Sequence, residues 1–169
     1  RPMQANTPPS DAELAAQVRQ LASLMVVRGW KMATAESCTG GWIAKCCTDL
    51  AGSSAWFERG FVTYSDQAKL DLLAVNAEAL LENGAVSEAV VGQMASGARM
   101  KACVDAAVAV TGIAGPKGGT ADKPVGTVWF GWDVGGAPVE IEVVCFKGDR
   151  DAVRRQTVMH ALQGLNKRL

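Results

Sequence analysis

The chain lacks any apolar run of the roughly eighteen residues that a membrane span needs, so no transmembrane helix is expected. An excess of one charge is also missing: 17 Lys and Arg stand against 17 Asp and Glu, with a pI near 6.8. Without a basic footprint, no nucleic-acid partner is expected. Cysteine is scarce and unpaired in pattern. The five residues Cys38, Cys46, Cys47, Cys103 and Cys145 make an odd set with no C-x-x-C pair, which argues against a disulfide scaffold or a structural zinc site and fits a reducing cytoplasm. Histidine occurs once, as His160 in a helical pattern near the C-terminus, so no metal-ligand set and no metal or other cofactor is expected. The opening RPMQANTPPS has one Arg, no apolar core and two adjacent prolines, and reads as a disordered tail over 1–10 instead of a secretory signal.

What remains is 169 residues, 49% hydrophobic, enough for one well-buried domain over 11–169. Ser10 and Glu13 have capping-box spacing, and Leu14, Val18, Leu21 and Met25 recur at helical period, predicting a helix over 11–28 closed by Gly29. KMATAE (31–36) predicts a strand running into SCTGG, and Trp42, Ile43, Cys46 and Cys47 share a helical stripe beyond it. FVTY (61–64) predicts a short strand, with Ser65 capping a helix that carries Lys69. Ser87 opens a further helix, and AAVAVTG (106–112) has the nearly continuous apolar run of a strand covered on both faces. A Gly/Pro-rich loop (113–124) precedes two strands flanking Gly135-Gly136, a hairpin pattern, and Asp149 caps the last helix. This α/β order predicts a three-layer α/β/α sandwich around a mixed, mostly parallel sheet with one antiparallel strand.

Two turns hold more small and hydroxyl residues than packing requires. Glu36-Ser37-Cys38-Thr39-Gly40-Gly41 lies where a strand meets a helix, and unpaired N–H groups there suit a phosphate or a developing oxyanion. Simple capping by Ser37 or Thr39, with the glycines allowing close packing, fits the spacing equally. Thr111-Gly112-Ile113-Ala114-Gly115-Pro116-Lys117 follows the buried strand, where open α/β sheets bind ligands; a mobile surface loop is the plainer alternative. Neither is a Walker loop or a G-x-G-x-x-G fingerprint. A serine nucleophile needs a base, yet there is no G-x-S-x-G elbow and no S-x-x-K frame at Ser37. A desolvated lysine is the remaining activator, and of Lys45, Lys69, Lys101, Lys117 and Lys123, Lys69 stands out because Tyr64 and Ser65 precede it by one helical turn.

AESCTGG (35–41), AGSSAWFERGFVTYSDQAK (51–69), GAVSE (84–88), VTGIAGPKGG (110–119), KPVGTV (123–128) and GDRDAVRRQ (148–156) together resemble the CinA C-terminal domain family, and more closely its stand-alone PncC-type nicotinamide mononucleotide amidohydrolases. The resemblance runs from about residue 11 to 168. It implies an α/β/α sandwich that hydrolyses the carboxamide of nicotinamide mononucleotide (NMN) to nicotinate mononucleotide and ammonia, in bacterial pyridine-nucleotide recycling. The small-molecule nucleotide would be its partner, with a homodimer left open. Carried over residue by residue, it places the nucleophile at Ser37, matches Tyr64 and Lys69 to the V-T-Y-x-x-x-A-K segment, and matches Thr111 and Arg150 to substrate contacts.

On that reading Lys69 takes the Ser37 proton, oriented or relayed by Tyr64. Thr39, Gly40, Thr111, Gly112 and Gly115 hold the oxyanion or phosphate, and Arg150 grips the phosphate with Arg154 assisting. Cys38 is expected to pack and not to react. Trp42 and Trp56 are candidates to stack on the nicotinamide ring, although nothing in the sequence singles them out. Larger CinA proteins carry an additional N-terminal nucleotide-processing domain, and activity that needs it is not expected here. The alternative is a catalytically silent nucleotide-binding module for regulation or partner docking.

Overall fold

In the computed structural model, which describes residues 7–169, Ser10 closes the expected capping box with Glu13 and opens helix α1 (Asp11–Arg28). Residues 1–6 of the tail expected over 1–10 lie outside the described residues. Gly29 ends α1 at a φ of 67°, a left-handed conformation that glycine adopts without strain. Then follow β1 (Met32–Glu36), α2 (Trp42–Asp49), a 3₁₀ turn (Ser53–Ala55), β2 (Phe57–Val62), α3 (Asp66–Leu73), α4 (Ala77–Asn83), α5 (Glu88–Ala102), β3 (Ala106–Gly112), β4 (Thr127–Val134), β5 (Glu140–Cys145) and α6 (Arg150–Arg168).

The five strands form one sheet in the order β2-β1-β3-β4-β5. Only β4 runs against the others, as the antiparallel β3–β4 and β4–β5 ladders require. Helices α1, α2 and α6 cover one face and α3, α4 and α5 the other, so the three-layer sandwich with one antiparallel strand stands. The β3 run explains why its sequence shows no alternation. Ala106, Val108 and Val110 pack under α1, α2 and α6, whereas Ala107 and Ala109 face α5, so both pleats are dry. The small residues on the second face let α5 approach closely: a Cβ at Gly131 would lie 3.0 Å from Val91 O.

Two sequence expectations shift. The strand expected over 61–64 is β2, which begins four residues earlier at Phe57 and ends at Val62. It is an edge strand whose Glu58, Arg59 and Gly60 face solvent, so the alternation that reveals a half-buried strand is missing. Helix α4 had no periodic signal in its seven residues; Asn76 Oδ1 supports it by accepting from the N–H groups of Glu78 and Ala79. Among the described residues, no helix is long and apolar enough to cross a membrane.

Candidate active site

The carboxyl ends of β1 and β3 point toward one edge of the sheet, and both glycine-rich turns leave from there. Helix α2 begins at Gly41, which offers no side-chain cap. Its first turn is capped instead by Glu36, the last residue of β1. Glu36 Oε1 accepts from Ile43 N (2.9 Å) and Thr39 Oγ1 (2.6 Å), and Oε2 accepts from Ala44 N (2.9 Å). The carboxylate is fully buried, where such donors offset the cost of leaving water. From the other side, Arg154 donates to the carbonyls of Cys38 (3.0 Å) and Thr39 (3.1 Å). The turn is thus clamped from both sides, and neither Ser37 nor Thr39 serves as the helix cap.

Ser37 is thereby free to face α3. Ser65 caps α3 by accepting from Ala68 N, and Lys69 follows one turn later on the buried side of the helix, only 1% exposed. Its Nζ lies 2.9 Å from Ser37 Oγ and donates to Thr63 O at 2.8 Å; Tyr64 O is 3.5 Å from both Nζ and Oγ. Among the described residues no carboxylate lies within ion-pair distance of Lys69. Burial pushes its ammonium below the ordinary lysine value, opposed by the more distant charge of Asp66 and by Cys38. Helix α3 is held in place by α5, where a Cβ at Gly97 would lie 2.1 Å from Leu73 O.

Ser37 and Lys69 open onto a cavity of about 290 Å³ that also meets Tyr64, Thr111 and Arg150. Ala85 and Val86 of the GAVSE segment and the loop from Gly112 to Gly118 complete its walls. Thr111 Oγ1 donates to Ala85 O at 3.0 Å, tying β3 to the start of α5. A Cβ at Gly115 would lie 2.5 Å from Val125, and this residue has a φ of 87°, so the bend of the loop calls for glycine there. Arg150, the first residue of α6, spans the mouth: it donates to Gly115 O at 2.6 Å and to Tyr64 Oη at 3.1 Å.

The cavity therefore gathers Ser37, Lys69, Tyr64, Thr111, Gly112, Gly115 and Arg150. Thr39, Gly40 and Arg154 stand behind the turn and do not line it. Tyr64 offers Lys69 its main-chain oxygen, while its phenol oxygen meets Arg150. The tryptophans are placed elsewhere: Trp56 is 2% exposed in the core, and Trp42 lies beneath Arg154 and Arg155 on the far side of the turn. Sequence reasoning missed Thr63, whose carbonyl carries no side-chain signal, and passed over Ala85 and Val86, although GAVSE is one of the matching motifs. Lys117, a candidate base in the sequence and an alternative to Arg150 for the phosphate, also lies on the cavity wall.

Chemically, a serine hydroxyl paired with a desolvated amine is equipped for acyl transfer. The neighbouring thiol is not, because burial pushes Cys38 up to about 12, aided by the Glu36 charge. Ser37 N–H donates to Val110 O, whereas among the described residues the N–H groups of Cys38 and Thr39 meet no main-chain acceptor. Among the described residues there is no group of three or more His, Cys, Asp or Glu side chains placed to hold a metal ion.

Residues 14–169 match the family model described as the CinA C-terminal domain. The chain is 54% identical over 156 residues to a protein of Escherichia coli (strain K12) named nicotinamide-nucleotide amidohydrolase PncC, covering 92% of this chain and 94% of that one. A protein of the same name from Pseudomonas putida is 53% identical over 135 residues, covering 80% and 84%. Among solved structures, a competence-damaged protein (CinA) superfamily protein from Escherichia coli superposes with a TM-score of 0.90 at 35% identity, covering 97% of this chain and 95% of that one.

Proposed function

The chain belongs to the CinA C-terminal domain family, and on that premise we propose that it hydrolyses the carboxamide of nicotinamide mononucleotide, with Ser37 as nucleophile and Lys69 as base. One observation carries the mechanism: a buried amine without a carboxylate partner, 2.9 Å from a serine hydroxyl, at the wall of a cavity bordered by Arg150.

With Lys69 neutral, its N–H groups point to the carbonyls of Thr63 and Tyr64, and its lone pair receives the Ser37 proton. Ser37 Oγ attacks the carboxamide carbon, and the oxyanion that forms is held by the N–H group of Cys38 on the cavity wall. The proton on Lys69 then passes to the departing nitrogen, which leaves as ammonia. The acyl-enzyme, an ester of Ser37 with nicotinate mononucleotide, is hydrolysed by water with Lys69 again accepting a proton. Arg150 and Lys117 take the phosphate, because a guanidinium fork matches two phosphate oxygens and no carboxylate competes for it there. Thr111 shapes the wall beside Ser37 through Ala85, and Thr39, Gly40 and Arg154 serve by holding the nucleophile's turn. The product is an acidic mononucleotide suited to pyridine-nucleotide recycling in the cytoplasm.

Incubation of the purified protein with NMN tests the reading. Nicotinate mononucleotide and ammonia should appear in equal amounts. Binding of NMN without turnover would instead favour the silent nucleotide-binding module.

A further inference from the structure

A cavity that accepts NMN must accommodate a pyridinium ring with a formal positive charge. Among the described residues the wall offers that charge no ion-pair partner: its basic side chains are Lys69, Lys117 and Arg150, and no Asp or Glu lines it. Among the described residues its one aromatic side chain is Tyr64, the only tyrosine of the chain. Tyr64 as a residue is 60% exposed, so a ligand can reach it, and its hydroxyl is anchored at 3.1 Å to Arg150 Nη2. The backbone of Tyr64 is fixed at the same time beside Ser37 and Lys69, its carbonyl 3.5 Å from each reacting atom. The aromatic face and the attacking oxygen are thus carried by neighbouring parts of one residue's surroundings.

Resting on the proposed substrate, we infer that Tyr64 is a specificity-determining residue that selects the oxidised, cationic pyridinium ring by presenting its π-face, while Arg150 holds the phosphate. A cation over an aromatic face is attracted by the ring quadrupole, and the attraction grows as water is excluded. Among the described residues the charged side chains of the cavity are basic, and this face is the part of the wall whose quadrupole favours the ring cation. A neutral ring of the same shape gains nothing comparable. The site therefore separates NMN from its reduced form, which has the same phosphate and carboxamide but an uncharged dihydropyridine.

Calorimetric titration of the Ser37→Ala protein, which removes the nucleophile so that binding is read without chemistry, tests this with NMN and reduced NMN as the two ligands. Adding Tyr64→Leu should weaken NMN about tenfold and reduced NMN less than about twofold, the scale of one partly desolvated cation–π contact. Tyr64→Phe in the same background loses the contact to Arg150 but keeps the ring, and should preserve the preference for the oxidised ligand; circular dichroism verifies that each variant is folded. Equal losses for the two ligands, or no loss, would overturn the role of Tyr64 while leaving NMN as ligand. If Ser37→Ala with Tyr64 intact binds neither ligand, the proposed substrate fails and the inference with it.

Discussion

Lys69→Met removes one nitrogen from the cavity wall while keeping an unbranched side chain in a site that is 1% exposed. Three contacts go with it, the 2.8 Å bond to Thr63 O, the 2.9 Å approach to Ser37 Oγ and the longer one of 3.5 Å to Tyr64 O. A positioned base contributes about 10² to 10⁴ in rate, so kcat should fall by that factor, while KM changes little because Lys69 is not assigned to the phosphate. The pH dependence is the sharper readout. Burial lowers the folded-state pKa of Lys69, so kcat/KM of the wild type should rise as pH climbs through that lowered value and Lys69 becomes neutral. The variant should show no such rise.

Stability carries a matching sign. Between the lowered folded pKa and the ordinary unfolded one, the unfolded chain binds more protons at this residue, so wild-type stability should increase with pH across that window. Below the folded pKa the penalty is fully present, and above the unfolded pKa it vanishes. Lys69→Met should lack this slope. Leaving Thr63 O without its donor costs about 1–3 kcal/mol in the opposite direction, so the variant's absolute stability at neutral pH is set by the difference. Ammonia release from pH 6 to 10 (about that range suffices to cross a lowered lysine pKa) and denaturant titrations at the same pH values measure both. A variant that keeps most of the rate together with the wild-type ascending limb would refute Lys69 as the base.

Arg150→Ala should raise KM for NMN by roughly 10- to 100-fold, the scale of a charge-assisted contact, and leave the already poor turnover of nicotinamide riboside unchanged; equal losses for both substrates would make Arg150 structural. Gly97→Ala places a methyl group against Leu73 O, so about 1–3 kcal/mol of stability should be lost, visible as a lower Tm, with kcat reduced more than KM because α3 carries Lys69; an unchanged Tm would show that the α3–α5 contact yields freely. Cys38→Ser should remain active and alkylating reagents should leave Cys38 of the wild type unlabelled, whatever they do at the exposed Cys103 and Cys145, since the Cys38 thiol stays protonated with a pKa raised to about 12; inactivation with label on Cys38 would count against this.

The elements read best from sequence were those whose two signals agreed. Ser10 and Glu13 fixed the start of α1 and Gly29 its end, and the unbroken apolar run of 106–112 matched β3 residue for residue. β2 was misplaced because an edge strand with Glu58 and Arg59 in solvent needs no apolar alternation. At the site, the nearness of Ser37 to Lys69 was reached through motif resemblance, because 32 residues and a parallel crossover separate them. The part played by Glu36 was hidden for a different reason: a carboxylate at a strand end looks like a solvated charge until the fold brings the first turn of α2 over it. Arg154 was placed on the right helix, but its reach to the carbonyls of Cys38 and Thr39 follows from the packing of α6 beside α2, which spacing alone does not encode.

The central claim is a covalent intermediate on Ser37, and acid quenching of the enzyme during steady-state turnover of NMN tests it directly. Intact-protein mass should show a fraction of the chain heavier by NMN less ammonia, and peptide mapping should place that adduct on Ser37, with none formed by Ser37→Ala. Full turnover by Ser37→Ala, or an adduct mapped to Thr39 or Cys38, would contradict the account.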